Sequence, residues 1–206
     1  MSRGEKWESV GGSDRAASVL LSGEGLRADA RRNRARVIEV ARSVFSERGP
    51  DARMEEIAEG AGVGVGTLYR NFPSKEALLA EVVAWSVGKL ARAAQDSLAQ
   101  PDPWEAFEDV VRLLVRTASE QRAFAHAAPW GEEQGVLYEA RRELDRWMGE
   151  MVRRAQQAAT LRPDITELDL FVLFGGVINA PAHVSADRRD RCLSVILDGL
   201  RHRFDA

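Results

Sequence analysis

A single cysteine, Cys192, occurs in the 206 residues, which excludes an intrachain disulfide and a thiolate-rich zinc site and suits a reducing compartment. Long apolar runs are also missing. No stretch approaches the roughly 18 to 20 residues that cross a bilayer, and "SVLL" near the N-terminus is too short for a signal-peptide core. A soluble, cytoplasmic protein with no membrane partner is the expectation. Excess charge is lacking too: the formal net charge of -3 and a pI near 5.8 give no overall reason to expect nucleic acid as a partner. Finally, no segment alternates apolar and polar residues as a half-buried strand would. The one strand-like run, "FVLF", lies inside a capped helical stretch, so the expected fold class is all-α.

What the chain does contain is apolar content of 45%, enough for a core, and an uneven charge distribution. From Arg27 to Arg53 eight arginines face four carboxylates, a local charge of +4 within an acidic protein. Residues Met1 to about Leu26, rich in Gly and Ser, read as a mobile tail. Helical spacing begins near Ala28, with Val37, Ile38, Ala41, Val44 and Phe45, and stops at "RGP" after Arg48. A short helix carries Met54, Ile57, Ala58 and Ala61 and breaks at Gly62, and a second runs from about Val65 to Asn71. Ser74 caps a long helix from Lys75 to about Leu98. Asp102, Pro103 and Glu105 form a helix start with a capping box, for a helix reaching about Ser119. Another run carries Leu137, Leu144, Trp147 and Met151. Thr166 caps "ELDLFVLFGGVINA", and a last helix spans about Asp187 to Arg203.

"GVGVGTLYRNFPSKEALL", Gly62 to Leu79, has the look of a phosphate cradle. A dinucleotide loop, however, needs G-x-G-x-x-G after a strand, and Thr67 stands where the third glycine belongs. A P-loop needs Gly-Lys-Ser/Thr, and no lysine follows a glycine there. What remains is helix, glycine-containing turn, helix, which places the second helix in a DNA major groove. Gly64 and Gly66 leave that helix start without bulk, so its N–H groups can approach phosphate oxygens. Thr67, Tyr69 and Arg70 are more polar groups than so short a helix needs for packing. Lys75 opens the next helix, where a cation is unfavourable unless an anion lies nearby.

The run "MEEIAEGAGVGVGTLYRNFPSKEALL" resembles the signature of the TetR family of bacterial transcriptional regulators, over about Ala28 to Val83 and more weakly beyond. The resemblance implies a homodimer whose subunits each have a three-helix DNA-binding head, 27–73, and a divergent helical body, 74–206, that binds a small ligand and dimerises. By position, Val65, Gly66, Thr67 and Arg70 fall where the family approaches bases, and Tyr69 and Lys75 where it grips phosphates. Family members often cap the second helix with Ser or Thr; Arg53 stands here, still within reach of the backbone. "RADARRNRAR", with Arg31, Arg32 and Arg34, resembles the basic arm that some members lay on DNA, and reads otherwise as a solvated helix start.

In the body, Trp85, Trp104, Phe107, Phe124, Trp130, Trp147 and Phe174 are candidates for lining an apolar ligand cavity, although aromatic residues at helical spacing are more often core. His126, Asn179 and His183 lie in or beside apolar runs and read as buried polar groups, either orienting a ligand or satisfied by backbone. The last two helices, with Phe171, Gly175, Leu193, Ile196, Leu197 and Leu200, suit a four-helix dimer interface, the alternative being packing inside one subunit. His126, His183 and His202 are too scattered for a metal site, and neither cofactor nor catalytic constellation is expected. The resulting expectation is no enzyme but a ligand-responsive regulator, most often a repressor in this family, binding a palindromic double-stranded operator as a homodimer and released by a small-molecule effector. The alternative is a small-molecule-binding helical protein or adaptor without regulated DNA binding.

Overall fold

The computed structural model describes residues 13–181 and 183–202. Eight α-helices occur among them, in the order α1 Ser13–Arg48, α2 Met54–Ala61, α3 Val65–Asn71, α4 Lys75–Ser97, α5 Pro103–Ala125, α6 Val136–Gln157, α7 Glu167–Ile178 and α8 Ala186–Leu200. The only pairing of extended backbone among the described residues is an isolated antiparallel bridge, Leu161 with Arg201. The fold is all-α.

Helix starts follow local chemistry. Ser74 Oγ accepts from the Ala77 N–H at 3.1 Å, and Asp102 Oδ1 accepts from Trp104 and Glu105 N–H at 2.7 and 3.2 Å. Each satisfies donors that a first turn leaves orphaned. A reciprocal capping box closes α7, where Asp169 N–H donates to Thr166 Oγ1 at 3.3 Å and Thr166 N–H to Asp169 Oδ2 at 2.8 Å.

Two boundaries depart from expectation. The first helix begins at Ser13 rather than Ala28, so 13–26 is helical instead of a structureless tail; Met1 to Gly12 lie outside the described residues. Its glycines and serines are interleaved with the helix formers Arg15, Ala16, Ala17, Leu20 and Leu21, whose summed propensity outweighs Gly23 and Gly25. The other is α5, which continues past Ser119 to Ala125 because Gln121 and Phe124 are buried by tertiary packing. Arg203, the expected end of the last helix, lies outside the described residues, and α8 closes at Leu200.

The apolar residues sort into two clusters. The first joins Val37, Ile38, Ala41 and Phe45 of α1 to Met54, Ile57 and Ala58 of α2, Leu68 of α3 and Leu78 to Val87 of α4. It also takes in Phe124, Ala128 and Leu137. The head is thus packed on the body through the end of α5 and the start of α6 as well as through α4, and the Phe45 and Phe124 rings meet at 5.8 Å between centroids. The second cluster fills the far body with Trp104, Phe107, Val111, Met151, Leu161, Leu170, Phe174, Leu193 and Leu197. Among the described residues Gln121 and Ser86 are the buried polar side chains, and they satisfy each other: Gln121 Nε2 donates to Ser86 Oγ at 2.6 Å, which donates to the Val82 carbonyl at 3.3 Å.

The turn between α2 and α3 depends on Gly62, at φ 64°. Its N–H reaches the Ala58 and Glu59 carbonyls, and the Val63 N–H also bonds to Ala58 at 3.0 Å, closing α2 in a left-handed cap. A methyl group at Gly62 would meet no heavy atom within 4 Å. Gly62→Ala should therefore cost backbone strain alone, about 1 kcal/mol in denaturant unfolding; a much larger loss would mean that the turn is sterically closed.

Candidate nucleic-acid interface

The recognition element is assembled from very few residues. Met54, Ile57, Ala58 and Ala61 fix α2 to the head core, the Gly62 cap reverses the chain, and Gly64 begins α3 by accepting from Thr67 and Leu68 N–H groups at 2.8 and 3.0 Å. Within α3 only Leu68 is buried; Phe72, the residue that ends it, is buried as well. Those two anchors hold one side of the helix and turn the other to solvent. Val65 is 39% exposed and Tyr69 43%, with Gly66 and Arg70 exposed and Thr67 half-buried beside them. A Cβ at Gly66 would meet nothing within 4 Å, so nothing inside the chain demands a glycine there.

The expected base-facing and phosphate-facing residues therefore share one surface. Arg70 Nη2 donates to Thr67 Oγ1 at 2.9 Å, and Asn71 Nδ2 to the Thr67 carbonyl at 2.8 Å. This pairing holds Arg70 along its own helix and is weak enough, between exposed groups, to exchange for a base edge. Lys75 is half-buried in the first turn of α4, one short loop from α3.

Arg53 occupies the N-cap of α2 without a side-chain cap bond. Instead its N–H donates to Glu56 Oε2 at 3.4 Å, and its guanidinium donates to Oε1 at 3.1 Å. These hydrogen bonds, the backbone one foremost, hold the Glu56 carboxyl below the usual range. The three arm arginines do not behave alike. Arg31 and Arg32 are exposed, Arg32 pairing with Asp29 one turn away. Arg34 is turned into the head, donating to Glu81 of α4 with its guanidinium over the Phe72 ring, 4.6 Å from the centroid. Arg34 thus has partners on other elements of the subunit, unlike Arg31 and Arg32, while its side chain stays 39% exposed.

The expected ligand residues do not converge. Phe107 and Trp104 are buried in the far cluster, Trp104 donating from Nε1 to Glu108 at 2.9 Å. Phe174 is buried beside them, whereas Phe124 belongs to the head-side cluster. Trp85 is half-buried at that cluster's edge, with Lys89 Nζ 4.1 Å from its ring centroid. His126, Asn179 and His183, read from sequence as buried polar groups, are exposed. The apolar runs around them end at helix termini, where the chain turns to solvent, and Asn179 Nδ2 folds back onto the Gly175 carbonyl at 2.9 Å. Trp130 is 39% exposed, its indole donating to the Ala125 carbonyl at 2.7 Å. Trp147 is half-buried, with an inward Nε1 that has no hydrogen-bond partner. Two surface clefts, one along Glu139, Arg142, Glu143 and Arg146 and one around Arg162, Asp198, Arg201 and His202, involve none of the expected ligand residues. Among the described residues no three His, Cys, Asp or Glu side chains come together to hold a metal.

The C-terminal helices carry two faces where the sequence suggested one. Leu193, Leu197 and Leu200, expected at a subunit interface, are buried against their own body, while Ile196 is half-buried at the edge of that cluster. On α7, Leu170, Phe174 and Val177 also point inward. The opposite side is open: Leu168 is 69% exposed, Phe171 73%, Val172 64% and, from α8, Val195 71%. Phe171 is among the residues expected at a subunit interface; the exposure of Leu168, Val172 and Val195 is not part of that expectation. Their signal was present as a second i, i+3, i+4 stripe on α7, Leu168–Phe171–Val172, out of phase with the inward one.

Known proteins bear out this architecture. Residues 37–82 match the model of bacterial regulatory proteins of the tetR family, and residues 102–202 that of the SbtR-like transcriptional regulator C-terminal domain. The transcriptional regulator UidR of Escherichia coli is 24% identical over 148 residues, 69% of this chain and 76% of its own. Two crystal structures of TetR regulators align along nearly their whole length. One from Streptomyces coelicolor is 32% identical with a TM-score of 0.67, covering 83% of this chain and 99% of its own. One from Mycobacterium vanbaalenii is 36% identical with a TM-score of 0.65, covering 85% and 99%. RolR, crystallised with resorcinol, is 26% identical with a TM-score of 0.55, covering 84% and 90%. With a matched head, a matched body and relatives above 30% identity across the fold, the chain belongs to the TetR family of transcriptional regulators, and its α2–turn–α3 unit is the family's DNA-binding helix-turn-helix.

Proposed function

We propose that the protein is a homodimeric repressor that binds a palindromic operator and releases it when a small molecule enters the body, acting by binding rather than catalysis. The observation that carries the reading is the outward face of α3. Val65, Gly66, Tyr69 and Arg70 are exposed on a helix whose single internal anchor is Leu68. A helix presenting that much side chain for so little core suits insertion into a major groove.

Dimerisation would come through the Leu168, Phe171, Val172 and Val195 face. Gly175 and Gly176 have no heavy atom within 4 Å of a Cβ position, leaving room for a partner helix to approach closely. Such a patch is hard to leave in water on a monomer. The effector is proposed to be a small, largely apolar molecule with acceptor oxygens. Trp147 Nε1 and Ser119 Oγ are each buried without a hydrogen-bond partner, and effector oxygens reaching either would satisfy it. The relative RolR, with its resorcinol, is a precedent of that chemical kind. Entry of such a molecule would reshape the body, tilt α4 and change the separation of the two heads, with a coupling of roughly 1 to 3 kcal/mol.

Substitutions on the head separate positioning from reading. Tyr69→Phe and Lys75→Ala should weaken binding to every duplex, and Lys75→Ala, which removes a charge, should also lower the salt slope by about 1 if it removes a phosphate contact. Arg70→Ala should in addition narrow the gap between selected and scrambled duplexes, by about 1 to 3 kcal/mol for a bidentate base contact. Fluorescence anisotropy across a salt series measures both, and parental behaviour of all three variants would contradict the assignment.

A further inference from the structure

We propose that Arg34 is a positioning residue for DNA recognition: it clamps the end of the recognition helix to the start of α4 and does not itself grip a phosphate. One guanidinium touches three elements. It is carried by α1, it donates to Glu81 in the second turn of α4, and its Cζ lies 4.6 Å from the centroid of the Phe72 ring. Phe72 is the residue on which α3 ends; its N–H donates to the Leu68 carbonyl at 2.8 Å and its side chain is 1% exposed. Leu68 and Phe72 are the two anchors of α3, so a group that fixes the Phe72 ring fixes the tilt at which Val65, Tyr69 and Arg70 are presented.

The neighbouring basic residues show the contrast. Arg32 and Arg36 are exposed and bond within α1, to Asp29 and to Asn33, the latter at 3.1 Å. Arg34 bonds across 47 residues of sequence, and the side chains of the pair are only 39% and 21% exposed. Swinging Arg34 out to DNA would leave the Glu81 carboxylate without this partner and uncover the face of Phe72. An ion pair in that setting is stronger than a fully exposed one, and the planar guanidinium adds its attraction to the ring. Because α4 continues from Glu81 into the body, the same contact ties the recognition helix to the one element that spans both halves. A shift of α4 reaches α3 through Arg34 as well as through the chain.

The test uses the full-length dimer and the duplex that the parent protein selects from genomic fragments, with a scrambled duplex of equal length beside it. Arg34→Ala is expected to weaken binding to the selected duplex about 5- to 10-fold, the combined worth of a half-buried ion pair and a cation–π contact. The scrambled duplex should be bound within about 2-fold of the parent and the salt slope should stay unchanged, since no phosphate contact is lost. Arg34→Glu should be worse than Arg34→Ala, and adding Glu81→Arg to it should recover much of the loss by restoring attraction between α1 and α4.

Equal weakening on both duplexes with a slope smaller by about 1 would make Arg34 a phosphate ligand and overturn the proposal. So would parental affinity of Arg34→Ala, or a double variant no better than Arg34→Glu. Urea unfolding of the DNA-free variants in the same cycle guards against misfolding: coupling between Arg34 and Glu81 supports the clamp, and its absence removes it. A parent that selects no duplex would overturn the head's role, on which this proposal rests; a parent that selects one while the Arg34 and Glu81 variants behave in the contrary ways above would overturn this proposal alone.

Discussion

If the proposed dimer forms through the α7 face, Phe171→Asp is expected to leave monomers and to abolish binding to the selected duplex at concentrations where the parent saturates. The phenyl ring stands 73% exposed in the single subunit, flanked by Leu168, Val172 and Val195. Buried in a two-fold seam it would be used twice, once from each protomer. A carboxylate in its place would put a charge into an apolar seam, and an uncompensated buried charge costs at least about 3 kcal/mol, roughly a 100-fold weaker association. Operator binding falls with it, because one head supplies only half of the phosphate and base contacts. Since the side chain touches little of its own body, the monomer should keep its helical content. Sedimentation velocity reads the mass, and circular dichroism reads the fold. A variant that stays dimeric places the interface elsewhere.

Phe124→Ala is the second large effect. Its side chain is 1% exposed and stacks at a 33° tilt against Phe45 of α1, so the residue lies in the head's core although the chain reaches it only at the end of α5. Removing a buried phenyl ring costs about 3 to 5 kcal/mol. For a chain of this size that lowers the midpoint of thermal unfolding on the order of 10 °C. The loss should come with looser coupling of head and body, because Phe124 joins α5 to α1 without passing through α4. Calorimetry checks the first part. Hydrogen exchange at α1 and α2 checks the second, with faster exchange expected near Phe45. A small shift with unchanged exchange would mean that α4 alone carries the head.

The sequence made the head legible because its elements are short and each ends on local chemistry. Gly62 and Ser74 bracket the helix-turn-helix, whereas the anchoring of α3 by Leu68 and Phe72 emerges only from their burial. Starts at Asp102 and Thr166 were legible for the same reason, as a cap is decided within three residues. The body was harder because apolar spacing identifies a helix face without saying what covers it. Leu193, Leu197 and Leu200 carry the same pattern whether a neighbouring helix or a second subunit packs on them, and here their own body does. His126 and Asn179 were misjudged through the same gap: apolar neighbours in sequence do not bury a residue at a helix terminus. Arg34 was beyond sequence altogether, since its carboxylate partner lies 47 residues away on another helix.

The most direct test of the central claim is selection of genomic DNA fragments by the purified full-length protein at about 0.15 M salt, where non-specific binding is suppressed. The selected fragments would then be footprinted. Recovery of a palindromic site, protected over two half-sites on successive turns of the duplex and lost with Arg70→Ala, is the predicted result. Protein that is folded and dimeric yet enriches no sequence over scrambled DNA would contradict it.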